Sequence, residues 1–375
     1  MPLVLLAGCL FNGGAGSDAP SDPGSPPPTD EPPPSEVFPP MLAYVTGNGL
    51  HDLTAFDVDP ATGGLTQVGA PVAGGFTPRH VAVDPLGRFA YVAALDSMSV
   101  RSYRLEAPSR APAFASESSS DFRARRVAVH PSGRFVYSAD EGNDRIAMFG
   151  VDEATGQLAP LVPGTVTTGR NPRSVMVHPN GRFAYVANLD DDTIGVYEID
   201  EGTGVLAEVP ANLFTLPPEA AIPSVLAIDP GGEFAYLGSI GASSENISAF
   251  AVDPDTGALT LLGTPLSING QNAEDIAVHP SGKFVYVIVG VEDRVSAFAR
   301  VGNALSFIDS FPVGESPSAV AVDVSGRFAY VTNTNDHTIS IFSINQETGV
   351  LTPRGEPFAL PAGHSPRSIA IAEKK

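Results

Sequence analysis

The sequence predicts an all-β fold, a seven-bladed β-propeller with four antiparallel strands in each blade. Two observations support this prediction. A tyrosine within a short apolar run recurs seven times, at Tyr44, Tyr91, Tyr137, Tyr185, Tyr236, Tyr286 and Tyr330. A second kind of apolar run, such as Ser-Val-Leu-Ala-Ile-Asp from Ser224, also occurs seven times. Repetition with a period of roughly 20 to 50 residues indicates a repeat architecture, so seven copies of one unit are expected.

Each unit begins with a hairpin. A turn of the type Asp/His-Pro-x-Gly joins the second kind of run to the tyrosine run, as in residues 84–87 and 130–133. Proline presets φ at the second position of such a turn, and glycine tolerates a positive φ at the fourth. A Thr-Gly pair marks a second hairpin, at Thr62, Thr155, Thr203, Thr256 and Thr348. Each unit is therefore a meander of about 48 residues, which hides both of its apolar faces only by packing around an axis with its neighbours.

The two ends of the repeated region predict how the ring closes. Tyr44 has no apolar run of the second kind before it, and the run that begins at Arg367 has no tyrosine strand after it. Each end supplies what the other lacks. We therefore expect the C-terminal strand to pair with the N-terminal blade, because closure leaves no strand edge uncovered. The propeller domain is predicted to span residues 41–375.

The chain before the propeller suggests a tethered protein. Residues 1–9 read Met-Pro-Leu-Val-Leu-Leu-Ala-Gly-Cys, which resembles a bacterial lipoprotein signal with Cys9 as the lipidated residue. Cys9 is the only cysteine, but a basic segment is missing before the apolar run, so an unprocessed apolar N-terminus is the alternative. Residues 10–40 are rich in Pro, Gly and Ser, which predicts a disordered tether. These features predict an extracytoplasmic protein on the periplasmic or surface side of the cell envelope, with a lipid anchor as its only attachment to the membrane.

Composition excludes some classes of partner. The chain carries 42 acidic and 21 basic residues, a net charge of −21, which argues against nucleic acid as a partner. It contains no phosphate-binding glycine loop, zinc motif or Gly-x-Ser-x-Gly elbow, so no cofactor and no metal are expected. The run Asp190-Asp191-Asp192 lacks the spacing of a calcium loop and is interpreted as a solvated turn. A monomer is expected.

One blade carries a clear family resemblance. Residues 326–333 read Gly-Arg-Phe-Ala-Tyr-Val-Thr-Asn, which resembles the signature of the YVTN repeat propellers. The span 41–375 resembles the bacterial lactonase family, seven-bladed propellers related to 6-phosphogluconolactonase. The resemblance implies an Asp-Leu-Gly-x-Asp-Arg loop in one blade, and residues 140–146 are similar to it.

The same resemblance implies acid/base groups that this chain lacks. Arginines at positions 123, 125 and 126 replace the histidines that enter that blade in the family. In the next blade, Ser174 and Leu189 occupy the positions of a family histidine and glutamate. Lactone hydrolysis needs a base to activate water, and an arginine locked in its charged form cannot supply one.

The meander predicts which end of the propeller binds a ligand. One end carries the short repeated turns, and we call it the scaffold end. The other carries variable loops and the entries to the inner strands, which converge on a funnel around the axis. The residues predicted to bind a ligand there are Arg79, Arg126, Arg145, Arg173, Glu274 and Arg367, and His80 is the candidate catalytic residue. Alternatively, these arginines pair with loop carboxylates and lock neighbouring blades together.

Two functional hypotheses follow from the sequence. The leading one is a surface-anchored module that binds a small molecule or a protein at the axial funnel, because the family's His and Glu are missing. The alternative is a divergent lactone hydrolase that uses His80 as the base and the funnel arginines to stabilise negative charge.

Overall fold

The computed structural model describes residues 39–119, 122–240 and 246–375. Within these ranges the chain forms seven antiparallel sheets, which confirms the predicted seven-bladed propeller. Blade 1 contains β4 (Pro78–Val83), β5 (Phe89–Ala94), β6 (Ser99–Glu106) and β7 (Ala111–Ser119). Blade 2 contains β8 (Ala124–Val129), β9 (Phe135–Asp140), β10 (Arg145–Val151) and β11 (Leu158–Thr167). Blade 3 contains β12 (Pro172–Val177), β13 (Phe183–Asn188), β14 (Thr193–Ile199), β15 (Leu206–Glu208) and β16 (Phe214–Thr215).

The remaining blades follow the same order from the axis outward. Blade 4 contains β17 (Pro223–Ile228), β18 (Phe234–Ser239), β19 (Asn246–Val252) and β20 (Leu259–Ser267). Blade 5 contains β21 (Ala273–Val278), β22 (Phe284–Val289), β23 (Arg294–Val301) and β24 (Ala304–Pro312). Blade 6 contains β25 (Pro317–Val322), β26 (Phe328–Asn333), β27 (Thr338–Ile344), β28 (Leu351–Pro353) and β29 (Phe358–Ala359). Blade 7 contains β30 (Pro366–Glu373), β1 (Met41–Gly47), β2 (Asp52–Val58) and β3 (Leu65–Ala73).

Blade 7 confirms the predicted closure of the ring. Its inner strand β30 comes from the C-terminus and pairs with β1, with Tyr44 opposite Ala370. In blades 3 and 6 the outer strand is interrupted, so β15 and β16 both pair with β14, and β28 and β29 both pair with β27. Three short 3-10 helices, Leu189–Asp191, Pro210–Asn212 and Pro218–Ala220, lie in blade 3 and its connection to blade 4.

The repeated tyrosine joins most blades to the next at the scaffold end. All seven tyrosine rings are buried between sheets, with 0–1% exposure. Four of the hydroxyls donate to the carbonyl of the Thr-Gly turn in the following blade: Tyr137 to Gly204, Tyr185 to Gly257, Tyr286 to Gly349 and Tyr330 to Gly63. The tyrosine run and the Thr-Gly turn are therefore two halves of one contact, which explains why both recur in the sequence.

The histidines of the Asp/His-Pro-x-Gly turns have the structural role that their position predicts. His279 Nε2 donates to the carbonyl of Gly326 in the next blade at 2.8 Å, and His279 Nδ1 accepts from the Ser281 amide at 3.1 Å. His130 and His178 make equivalent contacts. No group of three His, Cys, Asp or Glu side chains with the arrangement of metal ligands occurs in the described parts of the chain.

Some predictions concern residues that the structure does not describe. Cys9 and the segments before residue 39 lie outside the described ranges, so lipidation and the tether stay predictions. None of the helices that the described residues form is long and apolar enough to cross a membrane.

Candidate ligand-binding funnel

The inner strands begin in the same irregular way, and this irregularity places side chains in the funnel. In each inner strand the pairing register shifts within the first few residues, for example between Pro78 and His80 in β4 and between Pro172 and Ser174 in β12. Such β-bulges re-aim side chains near functional sites. The second residues of the seven strands consequently line one funnel: Arg79, Arg125, Arg173, Ser224, Glu274, Ser318 and Arg367.

The funnel is chemically two-sided. It has an empty volume of about 470 Å³, including the space at its open mouth. Four consecutive blades, 7, 1, 2 and 3, contribute the arginines Arg367, Arg79, Arg125 and Arg173. Blades 4, 5 and 6 contribute Ser224, Glu274 and Ser318. A cationic arc therefore faces a polar, acidic arc, although the whole chain carries a net charge of −21.

Two arginines of the cationic arc have no partner within the described residues. Arg79 and Arg173 make no hydrogen bond or ion pair there, and the Nε atom of each is buried without a partner. Burial lowers the pKa of Arg173 and of Arg367. Burial, followed by the charge of Arg173, lowers the pKa of Arg125 to about 9. A guanidinium group stays charged at neutral pH. A buried donor without an acceptor costs about 1–3 kcal/mol, and an incoming anion would remove that cost.

The other predicted binding residues are paired. Arg367 Nη2 lies 3.8 Å from Glu274 Oε2, a contact between blades 7 and 5. Arg126 Nη2 lies 2.5 Å from Asp275 Oδ1, which joins blades 2 and 5 across the axis and closes the floor of the funnel. Arg145 lies outside the funnel lining, and its Nε donates to the buried Asp140 at 2.8 Å. Arg126 and Arg367 are therefore paired, but with carboxylates on the inner strand of blade 5 and not with loop carboxylates of a neighbouring blade as the alternative predicted. Arg79 and Arg173 are paired in neither way among the described residues.

Arg125, another arginine of the cationic arc, forms an ion pair with the loop carboxylate of Glu141. Arg125, which follows the same sequence pattern as Arg79, lies 3.1 Å from Glu141 of its own blade through Nη1. The Glu141 side chain is only 14% exposed and also lies 3.5 Å from Arg123. Sequence reasoning placed these groups at the same end of the propeller but missed which arginines would be paired. The distances between loops and strands decide that pairing, and no motif encodes them.

His80 belongs to a second ring of contacts, one residue further along the inner strands. Its Nδ1 accepts a long hydrogen bond of 3.5 Å from the Val127 amide of blade 2. Ser368 and Asp275 stand at the same strand position and accept from the next blade's amides, those of Val81 and Val320, at 3.2 and 3.1 Å. His80 thus shares a structural role between blades with these residues.

The environment of His80 decides its charge. Burial, followed by the charge of Arg126, lowers the pKa of His80 well below its usual value near 6.5. The imidazole is therefore neutral at pH 7. Because Nδ1 faces an N–H donor, the proton lies on Nε2, and this nitrogen is a hydrogen-bond donor.

Comparison with known proteins identifies the family. Residues 42–121, 104–219 and 264–365 match the family described as "Lactonase, 7-bladed beta-propeller". The chain belongs to this lactonase family. The 6-phosphogluconolactonase of Serratia proteamaculans is 27% identical to this lactonase-family propeller over 163 residues, 40% of this chain and 46% of that protein. The match thus spans about half the length of this curated relative.

Solved structures are similar to nearly the whole lactonase-family propeller. A putative 6-phosphogluconolactonase from Bacteroides uniformis superposes with a TM-score of 0.79 at 18% identity, covering 89% of this chain and 100% of that one. A periplasmic gluconolactonase of Pseudomonas aeruginosa has a TM-score of 0.74 at 20% identity, with 90% and 99% coverage. At this level of identity the likeness shows the fold, and the function has to be argued from the site.

Proposed function

We propose that this lactonase-family propeller is a lactone hydrolase, a carboxylic ester hydrolase that opens a sugar lactone in the axial funnel. The observation that carries the proposal is the pair of half-buried arginines Arg79 and Arg173, whose buried Nε donors have no partner among the described residues. The family and the names of the relatives favour this function over the leading sequence hypothesis of a module that only binds.

The cationic arc suits the charges of such a reaction. Attack on a lactone carbonyl places negative charge on the carbonyl oxygen, and donors already fixed around that position lower the barrier. Arg79 and Arg173 are donors that need no rearrangement to serve an anion, because no described protein group holds them. The same arc would bind a phosphate or carboxylate substituent of the sugar. The opposite arc, with Ser224 and Glu274, offers polar groups to the sugar hydroxyls.

Glu274 is the best-placed base. Asp275, the other acid in the funnel, uses one oxygen for Arg126 and the other for the Val320 amide. Glu274 has only the 3.8 Å contact with Arg367 and a side chain that is 31% exposed, so water reaches it. Gly290 leaves room for this side chain, since a Cβ there would lie 2.8 Å from the Glu274 Cγ.

The steps balance with Glu274 as the proton carrier. Its carboxylate accepts a proton from water as the water oxygen bonds to the lactone carbonyl carbon. The ring ester bond then breaks, and protonated Glu274 returns the proton to the ring oxygen, which becomes a hydroxyl. The product is a hydroxy acid whose carboxyl group ionises in water.

His80 fits a different role from the base predicted from the sequence. With its proton on Nε2, His80 lines the funnel as a hydrogen-bond donor and has no free lone pair on that nitrogen. We assign it to positioning the substrate and the blade 1–blade 2 junction. The role of His80 as a base stays a prediction that the experiment below can check.

The proposal is tested by proton release in a pH-stat with the full chain, using glucono-δ-lactone and its 6-phosphate as substrates. Hydrolysis well above the spontaneous rate is expected. Glu274→Gln should lower kcat by about 100-fold or more while phosphate still binds, because the amide cannot accept the proton. Glu233→Gln, an exposed acid at the scaffold end, is the matched control and should keep full activity.

Two outcomes would contradict the assignment. If lactone hydrolysis stays at the spontaneous rate while phosphate binds tightly, the hypothesis of a binding module is favoured instead. Full activity in Glu274→Gln and loss in His80→Asn would move the role of base to His80.

A further inference from the structure

Exposed apolar side chains lie at the funnel end of the propeller, in loops next to the segment that leads to Arg79. Leu50, Phe76 and Met98 are 49%, 64% and 45% exposed, and we call these three side chains the apolar rim. They lie on adjacent segments. The Phe76 ring packs edge-on against His51, the neighbour of Leu50, with 5.0 Å between ring centroids. The Phe76 amide donates to Ser97 Oγ, next to Met98, at 2.7 Å.

The rim is unlike the rest of this end of the propeller. Among the described residues there, the other large apolar side chains with comparable exposure are Ile222 and Val291, which belong to the entry of β17 and the end of β22. The loop after β13 instead presents Asp190, Asp191 and Asp192. A sugar lactone is polar throughout and gives no reason to place three apolar side chains together at the funnel end.

The backbone of Met98 supplies a second, independent observation. Met98 has a φ of 51°, a left-handed conformation that favours Gly, Asn and Asp and disfavours a long apolar residue. Five other blades have Asp or His directly before the third strand, also with positive φ: His51, Asp144, Asp192, Asp293 and His337.

The residues directly before the third strand usually form a hydrogen bond with the connection to the next blade. Asp144, Asp192, Asp293 and His337 each accept a hydrogen bond from a backbone amide of the following connection, at 2.6–3.1 Å. A methionine side chain has no oxygen or nitrogen with which to do so. At Met98, blade 1 therefore has neither a residue that favours the left-handed backbone nor a side chain that can accept the hydrogen bond from the next connection. The side chain at this position is apolar and exposed instead, which indicates that it has another use.

The rim and the arc are near enough for one small ligand. Phe76 and Arg79 belong to one continuous segment, and three residue steps span at most about 11 Å. This segment is held in place, because the Thr77 hydroxyl donates to Asp96 at 2.5 Å. Three exposed side chains are too few for the apolar centre of a stable protein interface, which needs roughly 20 residues on each side.

We infer that the funnel takes an amphipathic anion, whose charged group lies on Arg79 and Arg173 and whose hydrocarbon or aromatic part lies on the apolar rim. This inference rests on the proposed anion-binding function of the funnel. It adds that the natural lactone or acid carries an apolar substituent.

Calorimetric titration of the full chain with methyl phosphate and phenyl phosphate tests the inference. The two probes carry the same charge above their second ionisation and differ in apolar area. Phenyl phosphate should bind about tenfold more tightly than methyl phosphate, because its ring is removed from water against the rim. Phe76→Ser and Met98→Asn should each reduce this ratio to below about threefold. Asn tolerates the left-handed backbone at position 98, so that variant keeps the fold.

Controls separate the rim from the funnel. Val162→Ser, at a 92% exposed position on the outer strand of blade 2, should keep the tenfold ratio. Arg79→Gln should weaken both probes by the same factor. An equal affinity of the unmodified chain for the two probes, or a ratio that survives in both rim variants, overturns the inference.

Other outcomes would also overturn the inference, and they are distinguishable from one another. If neither probe binds, the anion-binding funnel fails and the inference fails with it; if methyl phosphate binds without a preference for phenyl phosphate, only the inference fails. Sedimentation of the unmodified chain as a dimer and of Phe76→Ser as a monomer would show that a second copy covers the rim.

Discussion

At the scaffold end the Tyr286 hydroxyl donates to the Gly349 carbonyl, and both ring nitrogens of His279 make hydrogen bonds. At the funnel end, by contrast, Arg79 and Arg173 have buried Nε donors with no partner in the described parts of the chain. The two ends are formed by the same strands. At the scaffold end the tyrosine recurs in every blade, and its hydroxyl contacts a neighbouring blade in five of the seven. At the funnel end the equivalent positions differ from blade to blade, and two of them are left unsatisfied.

The difference indicates that the scaffold end provides stability and the funnel end provides binding. Repeated contacts between blades stabilise the ring, so a change there should lower stability and leave binding alone. Unpaired charges in the funnel lower the stability of the free protein, so removing them should weaken binding without lowering stability. The predictions below test this separation, beginning with the largest effect.

The double variant Arg79→Gln, Arg173→Gln should lower phosphate affinity by about 100-fold or more, because each charge-assisted hydrogen bond contributes about 1.5–3 kcal/mol. Its free energy of unfolding without ligand should be unchanged or higher, because two buried Nε donors that have no partner among the described residues are gone. Calorimetric titration and urea denaturation measure the two quantities. Arg104→Gln, an exposed arginine away from the funnel, is the control. A large loss of stability in the double variant would show that the two ends are not separable.

Tyr286→Phe should lower the free energy of unfolding by about 1 kcal/mol, the contribution of one ordinary hydrogen bond. Tyr91→Phe is the matched comparison, because the Tyr91 hydroxyl is equally buried and has no partner among the residues that the structure describes. That variant should have unchanged or slightly higher stability. Urea denaturation of both proteins measures the difference, and both should bind phosphate as the unmodified chain does. Equal losses in the two variants would show that ring packing, and not the hydroxyl contact, joins the blades.

The smallest expected effect concerns pH. Since burial lowers the pKa of His80, the imidazole stays neutral as pH falls from about 8 to about 6, and sulfate affinity should change by less than about twofold. A histidine with its usual pKa would gain a positive charge in this window and bind sulfate more tightly. Titrations at three pH values check this. A several-fold gain at low pH that disappears in His80→Asn would show that His80 titrates in this range.

Much of the fold was readable from local sequence, and part of the site was as well. The recurring tyrosine, the Pro-x-Gly turns and the orphan runs near Tyr44 and Arg367 predicted seven blades and the closure of the ring by β30. Strand order also placed Arg79, Arg173 and Glu274 at one end of the axis, where they now line one funnel. The interrupted outer strands of blades 3 and 6 were missed, because a strand that faces solvent leaves only a weak pattern.

The choice of partners was beyond sequence reasoning. Arg125 and Arg173 stand at the same position of adjacent strands, yet only Arg125 has a carboxylate, Glu141, within 3.1 Å. Arg126 meets Asp275 although 149 positions separate them in the chain. Such pairings depend on distances across the axis, which exist only when all blades are in place.

Local patterns in the chain were sufficient to specify the blade, the number of blades and the end at which the loops vary, because turns and alternating strands depend on near neighbours. Which arginines are left without partners among the described residues, which histidine nitrogen holds the proton and which apolar side chains are exposed at the funnel end depend on the closed ring. They arise from contacts between blades that are distant in sequence, where a shift of a few ångströms decides between an ion pair and a binding site.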